Sequence, residues 1–409
     1  MPDYITKMPM PYSELSPLTP RKLIIFGSTG SIGRNTLNVL RQLTPEKRSC
    51  FEVVGLVGGK NIELLAEQAA EFRPKYLGIQ DVSLIDRLKA LLPSGYKPEL
   101  VSGSQGFSEL ASLAEVDMLM LAQSGAAGIN ATIAGAKAGK VLALANKEAL
   151  VLAGSLVKKL CAESGAIILP VDSEHNAIFQ VSHSENSKAL KKIWLTASGG
   201  PFRSFSYEQL KTVSLEQALK HPKWNMGAKI TIDSATMMNK GLEIIEAIHL
   251  FGAKTDEIKV VIHPESIVHS LVEFVDGSVL AQLGCPDMQI PISYCLGFNE
   301  RLNAQQPALN LIEQKSLTFE DPNNKLFPAL DLALLAYNSG QWSPIVLNAA
   351  NEVAVAAFLN KQISFLDICN LVERALNSNL AQAFNAQAFD FETILALDQE
   401  TRNKVLSWV

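Results

Sequence analysis

Short apolar runs alternate with helix-period segments over the first part of the chain. The runs are Leu23–Phe26, Val53–Val57, Tyr76–Ile79, Met118–Leu121, Val141–Leu144 and Ile167–Val171. Between the first two, Ile32, Thr36, Leu40 and Leu43 recur at steps of three or four, which predicts a helix with one buried face. Leu65, Ala69 and Phe72 repeat the pattern in the next interval. Apolar strands separated by amphipathic helices predict a mostly parallel, doubly wound sheet over residues 21–171, covered on both faces.

Beyond Asp172 the pattern changes. Leu271–Val275 and Ser278–Leu283 flank Asp276-Gly277, a dipeptide suited to the positive φ angles of a tight hairpin turn. Antiparallel strands mixed with helices predict an α+β domain over residues 172–298. A polar linker at 299–321 leads to Ala- and Leu-rich helical text at 322–409, seen in Asn348–Leu359 and Leu366–Leu376. Residues 1–20 are rich in proline, carry both charge signs and lack an apolar run, so they read as a loosely docked arm, not a targeting signal.

Composition narrows the function classes. With 47% hydrophobic and 19% charged residues among 409, there is material for two or three packed domains. A net charge of −5 argues against nucleic acid as partner, because binders of polyphosphate backbones are usually basic. No apolar stretch is long enough to span a bilayer, so no membrane partner is expected. The five cysteines are odd in number, scattered and form no C-x-x-C pair, which argues against a disulfide framework or a thiolate zinc site and fits a reducing cytoplasm.

Gly27-Ser-Thr-Gly30-Ser-Ile-Gly33 directly follows the first apolar run and opens the first helix. Such glycines let backbone approach a pyrophosphate held on the helix N-terminus, which makes the N-terminal domain Rossmann-like. A glycine-rich turn without a ligand is the plainer alternative. NAD-specific sites place an acid at the end of the second strand to bond the ribose hydroxyls. Here that place reads Leu56-Val-Gly-Gly59-Lys60-Asn61, with no acid to repel a phosphate and a lysine to attract one. This favours NADP over NAD, against a Lys60 that is merely a solvated charge.

Asp172-Ser173-Glu174-His175-Asn176 follows the last run. In extended backbone, residues i and i+2 share a side, so Asp172 and Glu174 could converge on a cation, and all-oxygen ligands suit Mg²⁺ or Mn²⁺. Solvated loop acids are the alternative, and His175 reads as a hydrogen-bonded scaffold residue. A second polar cluster holds Thr196, Ser198, Gly200, His221, Trp224, Ser234, Asn239 and Lys240. Hydroxyls, an amide and an ammonium concentrated this way suit a phosphate monoester. After Ser234, Met238, Leu242, Ile245 and His249 form one helical stripe. Glu243 and Glu246 lie off it, and periodicity does not choose between them as a third metal ligand or exclude two surface acids.

Taken together, the segments resemble the 1-deoxy-D-xylulose 5-phosphate reductoisomerase family from about Arg21 to the C-terminus. The carrying motifs are GSTGSIG at 27–33, LANKEAL at 144–150, PVDSEHNAIFQ at 170–180, SGGPFR at 198–203, HPKWNMGAKITIDSATMMNKGLE at 221–243, HPESIVHS at 263–270 and GSVLAQLGCPDM at 277–288. Glu265, Cys285 and Gln123-Ser124 stand where relatives often differ.

The resemblance implies Asp172, Glu174 and Glu243 as ligands of a divalent metal (Mg²⁺, Mn²⁺ or Co²⁺), choosing Glu243 over Glu246. It implies NADPH contacts at Thr29, Gly30, Ser31, Ile32, Gly59, Lys60, Asn61, Asn146, Glu148 and Gly227. Around the phosphorylated sugar it implies Ser173, Ser198, Ser234, Asn239 and Lys240, with Lys147, Glu148 and His221 as catalytic neighbours. Residues 198–228 are similar to the family's mobile lid, whose Trp224 closes over the ligand. The implied reaction is isomerisation of 1-deoxy-D-xylulose 5-phosphate and reduction to 2-C-methyl-D-erythritol 4-phosphate by a homodimer. Two rivals are an NADP-linked dehydrogenase without isomerisation, often built on a positioned cysteine, and a non-catalytic NADP sensor needing no acid triad.

Overall fold

The computed structural model describes residues 21–182, 189–224, 226–298 and 300–409, so the arm at 1–20 lies outside the described residues. Seven parallel strands form the first sheet in the order β4-β3-β2-β1-β5-β6-β7. They are β1 Arg21–Phe26, β2 Phe51–Gly58, β3 Tyr76–Ile79, β4 Glu99–Ser102, β5 Met118–Leu121, β6 Val141–Leu144 and β7 Ile167–Pro170. All six expected runs are strands. The seventh, β4, is an edge strand without a fully buried residue, so it carries no continuous apolar signal.

The chain winds outward from β1 through β2, β3 and β4, then returns to β1's other side for β5, β6 and β7. The carboxyl ends of β1 and β5 therefore flank the reversal of strand order, where doubly wound sheets bind ligands. The helix Ser31–Gln42 starts there and buries Thr36, Leu37, Val39 and Leu40 against the sheet layer.

The second sheet has the order β11-β10-β8-β9, with β8 Leu190–Ala197, β9 Ile258–Ile262, β10 Val268–Phe274 and β11 Val279–Leu283. β8 and β9 are parallel; the other pairs are antiparallel. The expected hairpin joins β10 to β11, but its turn differs from the expected pair of positive φ angles. Gly277 alone is left-handed, at φ 87°. Its N–H donates to Phe274 O at 3.0 Å, while Phe274 N–H donates to Ser278 O at 2.9 Å. The loop thus holds three residues, and Asp276 acts through its side chain, accepting the Ser278 N–H at 2.9 Å.

Four long helices, Ala329–Asn338, Ser343–Leu359, Phe365–Leu376 and Phe391–Leu406, build the C-terminal domain. Ser343–Leu359 is buried on nearly every face, which its Ala- and Val-rich sequence permits. No described helix is long and apolar enough to cross a membrane. The helix Met238–Phe251 departs from the single-stripe expectation. It packs against both Glu148–Ser164 and Ala329–Asn338, so almost every side chain is buried, including Glu243 and Glu246. Neither is a surface acid.

Candidate active site

One cleft of about 460 Å³ lies between the carboxyl ends of the first sheet's strands, the end of β8 with the start of β10, and the helices that follow β8. Gly30, Ser31 and Ile32 enter it from the loop after β1, and Asn146, Lys147 and Glu148 from the end of β6. Asp172, Ser173 and Glu174 come from the end of β7, and Ser198 from the end of β8. His221, Trp224, Gly227, Ser234, Asn239, Lys240 and Glu243 close the far wall. Thr29, Gly59, Lys60 and Asn61 do not line the cleft. Gly59, Lys60 and Asn61 are exposed at the end of β2, and Asn61 Oδ1 accepts Leu64 N–H at 3.0 Å, capping the helix Ile62–Phe72. Thr29 adjoins that strand end, its methyl 3.5 Å from where a Gly58 Cβ would stand.

The acids converge by a different route from extended alternation. A helix, Ser173–Ser182, begins immediately after Asp172. Asp172 Oδ1 accepts Glu174 N–H at 3.3 Å, and Asp172 O accepts Asn176 N–H at 2.8 Å. Asp172 and Glu174 thus meet across a first helical turn, where unpaired N–H groups favour negative charge. Glu243 arrives from Met238–Phe251, and one oxygen from each acid lies within 4.8 Å of the others. That separation and the all-carboxylate donor set fit a hard dication.

Two lysines face the triad. Lys147 Nζ lies 2.6 Å from Asp172 Oδ2 and 3.0 Å from Glu243 Oε1, and donates to Asn239 Oδ1 at 2.8 Å. Lys240 Nζ lies 2.9 Å from Glu174 Oε1 and also contacts Glu243 Oε2. Burial would lower the Lys147 ammonium, but Asp172 and Glu243 hold it well above its usual range. Burial would raise the Asp172 carboxyl, yet Lys147 and His175 hold it well below. Glu243 is pushed up, first by burial and then by its two acidic neighbours.

Behind the triad, His175 Nε2 donates to Glu243 O at 2.9 Å, leaving Nδ1 3.2 Å from both Asp172 Oδ1 and Glu246 Oε2. Burial opposes charge on this ring, but the two carboxylates raise it to about 9. His175 is therefore a scaffold residue held between two acids, and Asp172, His175 and Glu246 form a second group of clustered donors.

His221 Nδ1 accepts the Trp224 N–H at 2.9 Å and the Lys223 N–H at 3.2 Å. Its Nε2 therefore carries the proton and donates to Ser198 Oγ at 3.0 Å. Burial lowers the ring to about 4, so it is neutral at physiological pH. Trp224 stands beside His269, with ring centroids 6.3 Å apart.

In the glycine loop, a Cβ at Gly33 would meet Gly27 O at 2.3 Å and Ser28 Cα at 2.4 Å. This close backbone cradle at a helix start fits a dinucleotide pyrophosphate. Sequence reasoning missed Lys229, His269 and Met288, all of which line the cleft. All three lie inside motifs that carry the resemblance, but His269 and Met288 carry no pattern that marks chemistry. Lys229 stands four residues before Asp233, a spacing that signals an ion pair on one helix face.

Family models match nearly the whole described chain. The model for 1-deoxy-D-xylulose 5-phosphate reductoisomerase matches residues 23–154, and that for its C-terminal domain matches residues 168–251. A further DXP reductoisomerase C-terminal domain model matches residues 283–404. The chain is 51% identical to the 1-deoxy-D-xylulose 5-phosphate reductoisomerase of Lawsonia intracellularis, over 99% of this chain and 98% of the relative. It is 52% identical to that of Nitratidesulfovibrio vulgaris, over 98% and 96%. A crystal structure of DOX-P reductoisomerase in complex with NADPH, fosmidomycin and magnesium superposes with a TM-score of 0.90 at 43% identity, covering 95% of this chain and 98% of that one. The Zymomonas mobilis enzyme in complex with NADPH gives a TM-score of 0.86 at 42% identity, over 95% and 99%.

Proposed function

This chain belongs to the 1-deoxy-D-xylulose 5-phosphate reductoisomerase family, and on that footing we propose which of its residues carry the reaction. The activity is metal-dependent isomerisation of 1-deoxy-D-xylulose 5-phosphate and its NADPH-dependent reduction to 2-C-methyl-D-erythritol 4-phosphate, in the non-mevalonate isoprenoid pathway. When bound, the dication supplies Lewis acidity at the substrate's oxygens and NADPH supplies the hydride.

Asp172, Glu174 and Glu243 hold the dication (Mg²⁺, Mn²⁺ or Co²⁺); their convergence within 4.8 Å is the observation that carries this reading. Gly30, Ser31 and Ile32, with Thr29 beside them, cradle the cofactor pyrophosphate. Gly59, Lys60 and Asn61 meet its adenosine end, where the exposed Lys60 ammonium suits a 2′-phosphate. Asn146, Glu148 and Gly227 line its path across the cleft. Ser198, Ser234, Asn239 and Lys240 bind the substrate's phosphate and hydroxyls, and the neutral His221 donates from Nε2 into the same place. Lys147, aimed at Glu243 and Asn239, and Ser173, bonded to Glu174 at 2.5 Å, orient the oxygens next to the metal. Trp224, within the lid at 198–228, excludes water over the ligand. The phosphate contacts lie away from the bond changes and supply binding energy for that closure.

The test is Glu243→Gln, which keeps the shape and removes one ligand charge. Turnover is expected to fall by at least about 100-fold while the NADPH dissociation constant moves less than about threefold. Equal losses in both would remove Glu243 from the metal.

Three finer readings accompany this one. The boundaries 21–171, 172–298, 299–321 and 322–409 are the functional division. The enzyme works in the cytoplasm, which the five free cysteines support. It is a homodimer joined along β11, an edge strand whose Val279, Leu280 and Leu283 are exposed, with Val275 beside it. Leu280→Lys should shift the sedimentation coefficient toward that of a monomer.

A further inference from the structure

Lys229 has no part in the chemistry above, yet its half-buried side chain, 26% exposed, lies where three parts of the molecule meet. It stands in the first turn of the helix Ala228–Ala235, next to the helix dipole's positive end, an unfavourable place for a cation. Its Nζ donates to Glu148 Oε1 at 2.7 Å and lies 2.8 Å from Asp233 Oδ2. Asp233 Oδ1 in turn accepts from Asn351 Nδ2 at 2.8 Å, on the C-terminal helix Ser343–Leu359. The Asp233 side chain is 1% exposed and that of Glu148 11%. Burial opposes charge on Lys229, but Asp233 and Glu148 hold its ammonium above the ordinary range.

The two ends of this bridge face different halves of one cleft. Glu148 follows Asn146 and Lys147 on the wall shared with the glycine loop. Ser234, one residue after Asp233, looks onto the wall shared with Ser198 and His221. Drawing the partners apart would leave the Asp233 carboxylate, 1% exposed, without its cation, which opposes independent movement of the joined elements.

We propose that Lys229 is a positioning residue that makes cofactor binding and phosphate binding strengthen each other, by tying Glu148 to the helix that carries Ser234. This rests on the reading that these two walls take NADPH and the substrate phosphate. A simple tie between domains would stabilise the fold without linking the two ligands.

The dissociation constant of NADPH, measured by fluorescence with magnesium in the presence and absence of fosmidomycin, gives the coupling as a ratio. In the full-length wild-type protein a ratio of about tenfold is expected, inside the usual range for coupled sites. Lys229→Met should bring it within about twofold of unity while each ligand still binds alone, and Lys229→Arg should restore most of it. A wild-type ratio of one, or an unchanged ratio in Lys229→Met, overturns the proposal. If Lys229→Met does not fold by circular dichroism, Asp233→Asn weakens the same bridge with little change of shape. It should then lower the ratio, and an unaltered value overturns the proposal equally. Failure of the wild-type protein to bind NADPH at all would instead bring down the reading of the cleft.

Discussion

A single proton decides what His221 can do. With Nδ1 accepting the Trp224 and Lys223 N–H groups, at 2.9 and 3.2 Å, the ring can only donate from Nε2. Burial keeps it neutral until about pH 4. The His221 imidazole should therefore show no titration in NMR spectra between about pH 5.5 and 8, where an unperturbed histidine would change charge. His221→Ala removes a donor to an anionic group, worth about 1.5–3 kcal/mol, so substrate KM should rise roughly 10–100-fold with NADPH affinity intact. At the same scale, Lys147 and Lys240 explain how three clustered carboxylates coexist: each ammonium bridges two of them.

At the scale of elements, the position of Glu243 depends on how two helices approach. Met238–Phe251 and Glu148–Ser164 touch where His249 lies against Gly154, and an added Cβ there would stand 2.4 Å from the imidazole. The backbone of Glu148–Ser164 leaves helical geometry at the neighbouring Ala153, with φ −132° and ψ 20°. Gly154→Ala should therefore destabilise the protein by about 1–3 kcal/mol in chemical denaturation. Combined with His249→Ala, which empties that space, it should regain part of the loss; strict additivity would show that the two do not meet. The N-terminal ends of other helices carry chemistry for a related reason. Ser31–Gln42 offers its first N–H groups beneath Gly30, and Ser173–Ser182 sets Asp172 and Glu174 on its opening turn.

For the whole molecule, His249 links packing to pH. It is half-buried between the helices, and desolvation there lowers it to about 4. Its folded-state value lies below its unfolded one, so the unfolded chain binds the proton first. Stability from this group is complete above about pH 6.5 and is lost as pH falls toward about 4, by about 3 kcal/mol at most. The melting temperature should drop over that interval, and His249→Phe should flatten the drop. An identical slope in the variant would assign acid lability to other groups. The same scale explains why the C-terminal helices matter to the cleft: Asn351 holds Asp233, and Glu352, fixed by Arg402 at 2.8 Å, lies against Gly125 in the loop after β5.

The pattern of apolar runs, glycines and turn residues was enough to read six of the seven strands of the first sheet, the dinucleotide-type loop and the hairpin's place, because those signals act within a few residues. It was blind to β4, whose edge position leaves its side chains partly exposed. It chose the wrong backbone for Asp172 and Glu174, since an extended segment and a first helical turn both bring such acids together. Between Glu243 and Glu246, both buried on one helix, periodicity had nothing to say. Only the tertiary structure set Glu243 beside Asp172 and Glu174, turned Glu246 toward His175 and brought Lys229 to Glu148. Contacts of that kind join residues dozens of positions apart, and their partners are selected by how the elements pack, a choice that no local spacing encodes.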